Sequence, residues 1–268
     1  MLHILYIVLI VGFCVLLYGW WDTHRFSVRK VDIELERLPS AFDGFTILQV
    51  SDLHNRAYGR GGRAINETIE NLTFDIAAIT GDLLDRNLPK QRRNAYACAE
   101  TAAAKAPAYF VQGNHEMRIG HWEETKAELE SRGIVILDNR YVVICRGSAR
   151  LYLCGIQEQA SQTEIEGLIS ADSCTVLLAH HPERLDEYAR TGVDLVLSGH
   201  AHGGQVRLFG QGLYSPDQGV LPRYTSGVYV RDKTKLYVSR GAGNHSFLPP
   251  RVFNRPEIDL ITLKTPFR

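Results

Sequence analysis

The sequence has no excess charge of either sign: 30 lysines and arginines stand against 30 aspartates and glutamates. Such a chain has no general electrostatic pull toward nucleic acid, so composition lends a nuclease reading no support. It has no Cys-x-x-Cys pair. Its five cysteines, at 14, 98, 145, 154 and 174, are odd in number, and three lie in or beside apolar stretches. They read as reduced core thiols, which favours a reducing compartment. There is no internal repeat and no low-complexity segment. What remains is 268 residues of ordinary apolar content, enough for one large α/β domain.

Another absence is local. Leu2 to Trp21 contains no Asp, Glu, Lys or Arg. About 20 apolar residues cross a bilayer as a helix, and Tyr6, Tyr18, Trp20 and Trp21 lie toward the ends, where an aromatic belt sits. A cleaved signal peptide is disfavoured, because no Lys, Arg or twin-Arg precedes the run and no small-x-small site follows it. A buried soluble helix is disfavoured because the run has no polar face. His24, Arg25, Arg29 and Lys30 follow the span, so the positive-inside bias puts the following domain in the cytosol, on the inner membrane if the cell is bacterial. Residues 22–27 read as the short link to that domain.

Five stretches share one design, an apolar run of strand formers that ends in a polar tip. They are Phe45-Thr46-Ile47-Leu48-Gln49-Val50-Ser51-Asp52-Leu53-His54, Ala77-Ala78-Ile79-Thr80-Gly81-Asp82, Tyr109-Phe110-Val111-Gln112-Gly113-Asn114-His115-Glu116, Val176-Leu177-Leu178-Ala179-His180-His181 and Leu195-Val196-Leu197-Ser198-Gly199-His200-Ala201-His202. Glycine before the polar residue permits a sharp turn and a close approach to a ligand. In an open α/β sheet, ligands bind beyond the carboxyl ends of strands, so these tips are expected to converge. Between them, residues 64–72, 95–105, 121–132, 163–169 and 182–190 read as helices. Residues 28–38 alternate as a half-exposed strand. Residues 134–137, 141–145 and 151–156 read as a meander on a second sheet. After His202, strands are expected at 203–209, 224–230, 235–240 and 258–263.

Asp-x-His, Gly-Asp-x-x-Asp, Gly-Asn-His-Glu, a lone His and Gly-His-x-His, in that order, resemble the calcineurin-like metallophosphoesterases from about Phe45 to the end. Gly-His-Ala-His-Gly-Gly-Gln-Val-Arg-Leu, Leu-Tyr-Val-Ser-Arg-Gly and Pro-Glu-Ile-Asp-Leu-Ile-Thr-Leu, together with the apolar span, look like the membrane-associated YkuE/YaeI branch, which includes a UDP-2,3-diacylglucosamine pyrophosphatase type. The resemblance implies an α/β fold, a four-layer α/β/β/α sandwich preceded by one N-terminal transmembrane helix. The corresponding division is an anchor over 2–21, a linker and first strand over 22–44, and a catalytic domain over 45–268.

It also implies two divalent metals. Asp52, His54, Asp82 and His202 would hold one, and Asp82, Asn114, His180 and His200 the other, with Asp82 as the bridge. Imidazole and oxygen donors suit Mn, Fe or Zn better than Ca or Mg. Strand alternation alone lets either His180 or His181 face the site, and the family's His-x-Pro spacing selects His180. His115 would act as general acid, with Asp85 orienting it and Arg86 holding phosphate. Glu116 and His181 read as supporting groups. Residues 241–245 follow a strand and are expected near the site. Arg60 and Arg63, with Lys90, Arg92 and Arg93 beyond them, are either a basic flap over an anionic substrate or ordinary solvated charges.

The expected activity is hydrolysis of a phosphate ester or pyrophosphate on a lipid-linked substrate, with UDP-2,3-diacylglucosamine, split to lipid X and UMP, as the specific candidate. The partners are therefore the bilayer and a phospholipid or nucleotide-lipid, not nucleic acid. The alternatives are a general phosphodiesterase or nuclease on the same metals, and a membrane scaffold that keeps the fold without turnover.

Overall fold

The computed structural model describes residues 1–88, 91–244 and 250–266. Two six-stranded sheets form its centre. In the first, β2 (Thr46–Val50), β3 (Ile76–Thr80), β4 (Ala108–Val111) and β5 (Ile134–Ile136) run parallel. Helices α2 (Arg63–Asn71), α3 (Arg93–Lys105) and α5 (Trp122–Ser131) make the crossovers between them, as parallel strands require. The C-terminal strand β16 (Glu257–Lys264) lies between β1 (Ser27–Glu34) and β2, parallel to β1 and antiparallel to β2. The second sheet has the order β14 (Gly227–Arg231), β15 (Thr234–Val238), β9 (Leu195–Ser198), β8 (Thr175–Leu178), β7 (Ala149–Gly155), β6 (Arg140–Arg146).

Strand alternation builds the layers. On the first sheet, Leu48, Val50, Ala77, Ile79 and Phe110 pack with Ile65, Ile69, Ala99 and Leu129 of the helices. The opposite faces, with Ile47, Ala78 and Val111, meet Leu153, Val176, Leu178 and Leu197 of the second sheet. Beyond it, Leu177, Val196 and Leu236 pack on Ile165 of α6 (Gln162–Glu166) and on Leu185 and Tyr188 of α7 (Leu185–Arg190). The order helix, sheet, sheet, helix is the sandwich expected. Gln49 ties the two sheets at the site end: its Nε2 donates to Thr80 Oγ1 at 2.9 Å and to the Ser198 carbonyl at 3.0 Å.

Three expectations need correction. The strand at residue 134 is no part of a meander on the second sheet. It follows the crossover helix α5 and pairs parallel with β4, burying Ile134 and Ile136 under the helices. Only β6 and β7 form the antiparallel pair. Residues 203–209 are not a strand, since the backbone turns at Gly203 and Gly204 (φ 64° and 78°) and continues as two-residue ladders, beginning with β10 (Arg207–Leu208) and β11 (Gln211–Gly212). Of the three cysteines placed near buried strands, Cys154 and Cys174 are buried but Cys145 is exposed on β6; buried Cys98 lies in α3, and all five thiols are free.

Helix α1 (Leu2–Thr23) is 22 residues long and holds an 18-residue stretch of mean hydropathy 2.4 that the rest of the chain leaves almost uncovered. It is a candidate membrane anchor. Its last turn packs into the domain, so the link is shorter than 22–27. Asp22 pairs with Arg255 at 2.8 Å, and the Arg251 N–H donates to Thr23 Oγ1 at 2.8 Å. Gly19 allows this approach, since a Cβ there would stand 2.8 Å from Val252 and 2.9 Å from the Arg251 carbonyl.

Candidate metal centre

The tips of β2, β3, β4, β8 and β9 converge. Among the described residues, three groups of buried ligand atoms result: Asp52, His54 and His202; Asp82, His180 and His200; and His54, Asp85 and His115. The first two are subsets of the two ligand sets that the resemblance implies. Asp82 stands between them, with Oδ2 3.4 Å from His180 Nε2 and 3.7 Å from His54 Nε2. Its other oxygen accepts from the His115 N–H at 2.8 Å. Both oxygens of Asp52 lie within hydrogen-bond reach of the His200 N–H, at 3.0 and 3.1 Å. The backbone crosses between tips as well: the Asp52 N–H donates to the Gly81 carbonyl and the His54 N–H to the Asp82 carbonyl.

Five of these residues sit in a backbone region that side chains rarely adopt. Asp52, His54, Asp82, His200 and His202 have φ between +47° and +65°. A strand ladder would point His200 and His202 the same way. The left-handed turn sends one to each group. Strain of this kind costs on the order of 1 kcal/mol or more per residue and gathers at functional sites. The glycines leave the space required. A Cβ on Gly113 would lie 2.3 Å from Asp82 Oδ1, and one on Gly199 would lie 2.3 Å from Asp52 Oδ2.

The donor set fits divalent cations. Asn114 Oδ1 and His180 Nε2 are buried and make no hydrogen bond. His180 Nδ1 donates to the Thr80 carbonyl at 2.7 Å, which leaves Nε2 as the ligand atom. His54 Nε2 and His202 Nε2 face each other at 3.2 Å between two carboxylates. Burial, the His54 ring and Arg251 push the His202 pKa well below its ordinary value, so the ring is neutral. Burial alone would raise Asp82, but the His180, His54 and His115 rings outweigh it and hold the carboxyl well below the usual range. Burial opposes charge on His180, but Asp82 and Asp52 outweigh it and raise its pKa to about 10, so a cation at Nε2 would take the place of a proton there.

Around it, His115 Nδ1 accepts from the Arg86 backbone N–H at 3.1 Å and lies 3.5 Å from Asp85 Oδ1. Sequence reasoning named Asp85 as this partner; the shorter contact is the Arg86 backbone. The Arg86 side chain is half-buried. Glu116 braces two tips, accepting from the N–H groups of Asp82 (2.8 Å), Leu84 (2.9 Å) and Gly113 (2.9 Å). His181 is buried beside the centre, its Nδ1 2.6 Å from Glu183, while its neighbour His200 places Nε2 2.9 Å from Asp217.

Residues 241–243 run against the first tip, with the Gly243 N–H bonded to the Asp52 carbonyl at 2.7 Å; His245 lies outside the described residues. Arg60 and Arg63 are exposed, and Arg92 bonds Thr125 of α5, an ordinary surface role. Lys90 also lies outside the described residues. Sequence reasoning missed Arg251 and Asn254. Arg251 is fully buried and holds His202 Nδ1 at 3.1 Å, and Asn254 Nδ2 donates to the His202 carbonyl at 2.7 Å. No motif surrounds them; an arginine in an aromatic- and proline-rich stretch was the only signal.

A model of the calcineurin-like phosphoesterase family matches residues 45–204. The Caenorhabditis elegans protein F40B5.2, named as a metallophosphoesterase, is 32% identical over 97% of this chain and 57% of its own. YkuE of Bacillus subtilis, also named as a metallophosphoesterase, is 28% identical over 91% of this chain and 87% of its own. A zebrafish protein named as a transmembrane protein with a metallophosphoesterase domain is 29% identical over 89% of this chain and 57% of its own. This chain therefore spans little more than half the length of the worm and zebrafish relatives. Among solved structures, the sulfate thiohydrolase SoxB of Thermus thermophilus superposes with a TM-score of 0.53 at 14% identity, over 85% of this chain and 57% of that one, a likeness of fold. The family and these relatives are named as phosphoesterases. With its ligand-bearing strand tips inside the matched span, the chain belongs to the calcineurin-like phosphoesterase family.

Proposed function

We propose that this protein is a membrane-anchored, dinuclear-metal hydrolase of a phosphate ester or pyrophosphate carried on a lipid. The observation that carries the reading is Asp82, whose carboxylate lies between two groups of buried imidazole and carboxylate donors. Asp52, His54, Asp82 and His202 hold one cation, and Asp82, Asn114, His180 and His200 the other, drawn from Mn, Fe or Zn. Bound there, such ions supply Lewis acidity toward phosphoryl oxygens and lower the pKa of water.

The chain's own groups do the rest. The Arg86 N–H on Nδ1 leaves the His115 ring proton on Nε2. Burial opposes charge on this ring, but Asp85, Asp82 and Glu116 outweigh it and raise its pKa. His115 therefore keeps a proton to give to the leaving oxygen. Arg86 is the phosphate-binding side chain, and Asp85 orients the His115 ring.

Helix α1, and the zebrafish relative's name, support a membrane location; the basic residues after the span support a cytosolic face. A site tied to the exit of the anchor suits a substrate held in the bilayer. The specific candidate is UDP-2,3-diacylglucosamine. The test is Mn-dependent turnover of that compound beside bis(p-nitrophenyl) phosphate, with Asn114→Ala as control. Release of UMP that the control abolishes supports the lipid substrate. Turnover of the chromogenic ester alone keeps the hydrolase and removes this substrate. No turnover of either, with metal bound, sinks the catalytic reading and leaves a scaffold.

A further inference from the structure

Apolar side chains crowd the place where α1 leaves the domain. Phe209, at the tip of the β10–β11 hairpin, is fully exposed, Phe253 is 52% exposed and Leu208 44%. Leaving such groups in water forgoes the free energy of burying them. Both phenylalanines also occupy left-handed backbone, at φ 50° and 53°, where Gly or Asn would sit without strain.

These residues are continuous with the anchor. The Phe253 ring lies 5.2 Å from that of Tyr18, in the belt of α1. Val206 bridges Val252, the Arg207 N–H donates to the Val252 carbonyl at 3.0 Å, and Val252 packs on Gly19. Phe209 and Phe253 then line one cavity of about 480 Å³. Arg25, which follows the last turn of α1, is exposed and stacks on Trp21 at 4.3 Å from the ring centroid. Aromatic and basic side chains at the end of a spanning helix occupy the headgroup layer.

We infer that Leu208, Phe209 and Phe253 form a second membrane contact, a wedge buried at the headgroup–acyl boundary of the bilayer that α1 enters. The inference rests on α1 being inserted. The wedge leads within a few residues to His202 and, through Asn254, to its backbone carbonyl. Anchor and wedge together hold the metal centre at a set height and tilt above the lipid.

The test uses the full chain in phospholipid nanodiscs, in a Cys14→Ser, Cys145→Ser background. A polarity-sensitive fluorophore is attached in turn to Leu9→Cys in α1, Phe209→Cys, Phe253→Cys and Val143→Cys, a site exposed on β6. Doxyl-labelled lipid is then added as quencher. The expected result is loss of most emission at 9, 209 and 253 with emission at 143 retained. Quenching at 9 alone overturns the wedge and leaves the anchor. Failure to quench at 9 overturns both.

Discussion

Arg251 donates from Nη2 to Nδ1 of His202 across 3.1 Å, and both side chains are buried. A guanidinium has no acceptor, so the imidazole nitrogen must accept. The same side chain donates from Nη1 to the Arg240 carbonyl at 2.6 Å and from Nη2 to the Gly243 carbonyl. It thus joins a candidate ligand to the strand end at 240–243 and, through its backbone N–H, to Thr23 of the anchor. Burial pushes its pKa down to about 10, where it still carries its charge at neutral pH.

Arg251→Met removes these donors and strands two buried carbonyls. It is expected to cost on the order of 3 kcal/mol, read by urea denaturation. Metal content, read by elemental analysis, should fall as well. Arg251→Lys should recover part of both.

A Cβ at Gly199 would fall 1.8 Å from Ser51 Oγ and 2.3 Å from Asp52 Oδ2. Gly199→Ala must displace Asp52, which the proposed function makes a ligand of one cation only. A shift of about 1 Å costs on the order of 100-fold in rate. The expected outcome is that loss in kcat, with one metal ion fewer per chain. Normal stoichiometry in the variant would contradict the ligand role of Asp52.

Glu116 accepts three backbone N–H bonds from two strand tips. Glu116→Gln keeps its shape but turns one acceptor into a donor facing an N–H. The expected destabilisation is about 2 kcal/mol, with a lower midpoint in chemical denaturation. If the isosteric variant is as stable as the parent, Glu116 is no brace.

Outside the candidate ligand set, Asp259 on β16 is buried and accepts from the Tyr237 hydroxyl at 2.6 Å. Burial, with the charge of Glu257, pushes its carboxyl from 3.8 up to about 8. Between those values the unfolded chain has released this proton and the folded chain has not. This group's contribution to stability therefore falls as pH rises across the window and levels off above it. Asp259→Asn keeps the acceptor and has no proton to lose, so its denaturation midpoint should decline less between pH 5 and pH 8, in the sense of about one titrating group. Parallel profiles for the two proteins would refute the shift.

The polar tips were legible because their signal is local: a strand, a glycine, then Asp, Asn or His. So was α1, whose charge-free run needs only counting. The insertion of β16 between β1 and β2 was not, because strand pairing across more than two hundred residues leaves no mark on either strand alone. The strand at 134 read as part of a meander because spacing cannot tell which of two sheets a short apolar strand joins; the crossover through α5 decides it. The turn after His202 read as a strand because its apolar residues mask the left-handed glycines.

The sequence by itself determined the ligand types, their order along the chain and the charge-free span, since each depends on residues within a few positions of one another. Only the tertiary structure brought those distant ligands within reach of one another around Asp82. It alone set Arg251 and Asn254 behind His202 and brought the anchor's last turn against them. The reason is physical: left-handed backbone at five residues on three of the strand tips aims the side chains, and packing of two sheets with a docked helix puts distant residues in hydrogen-bond reach.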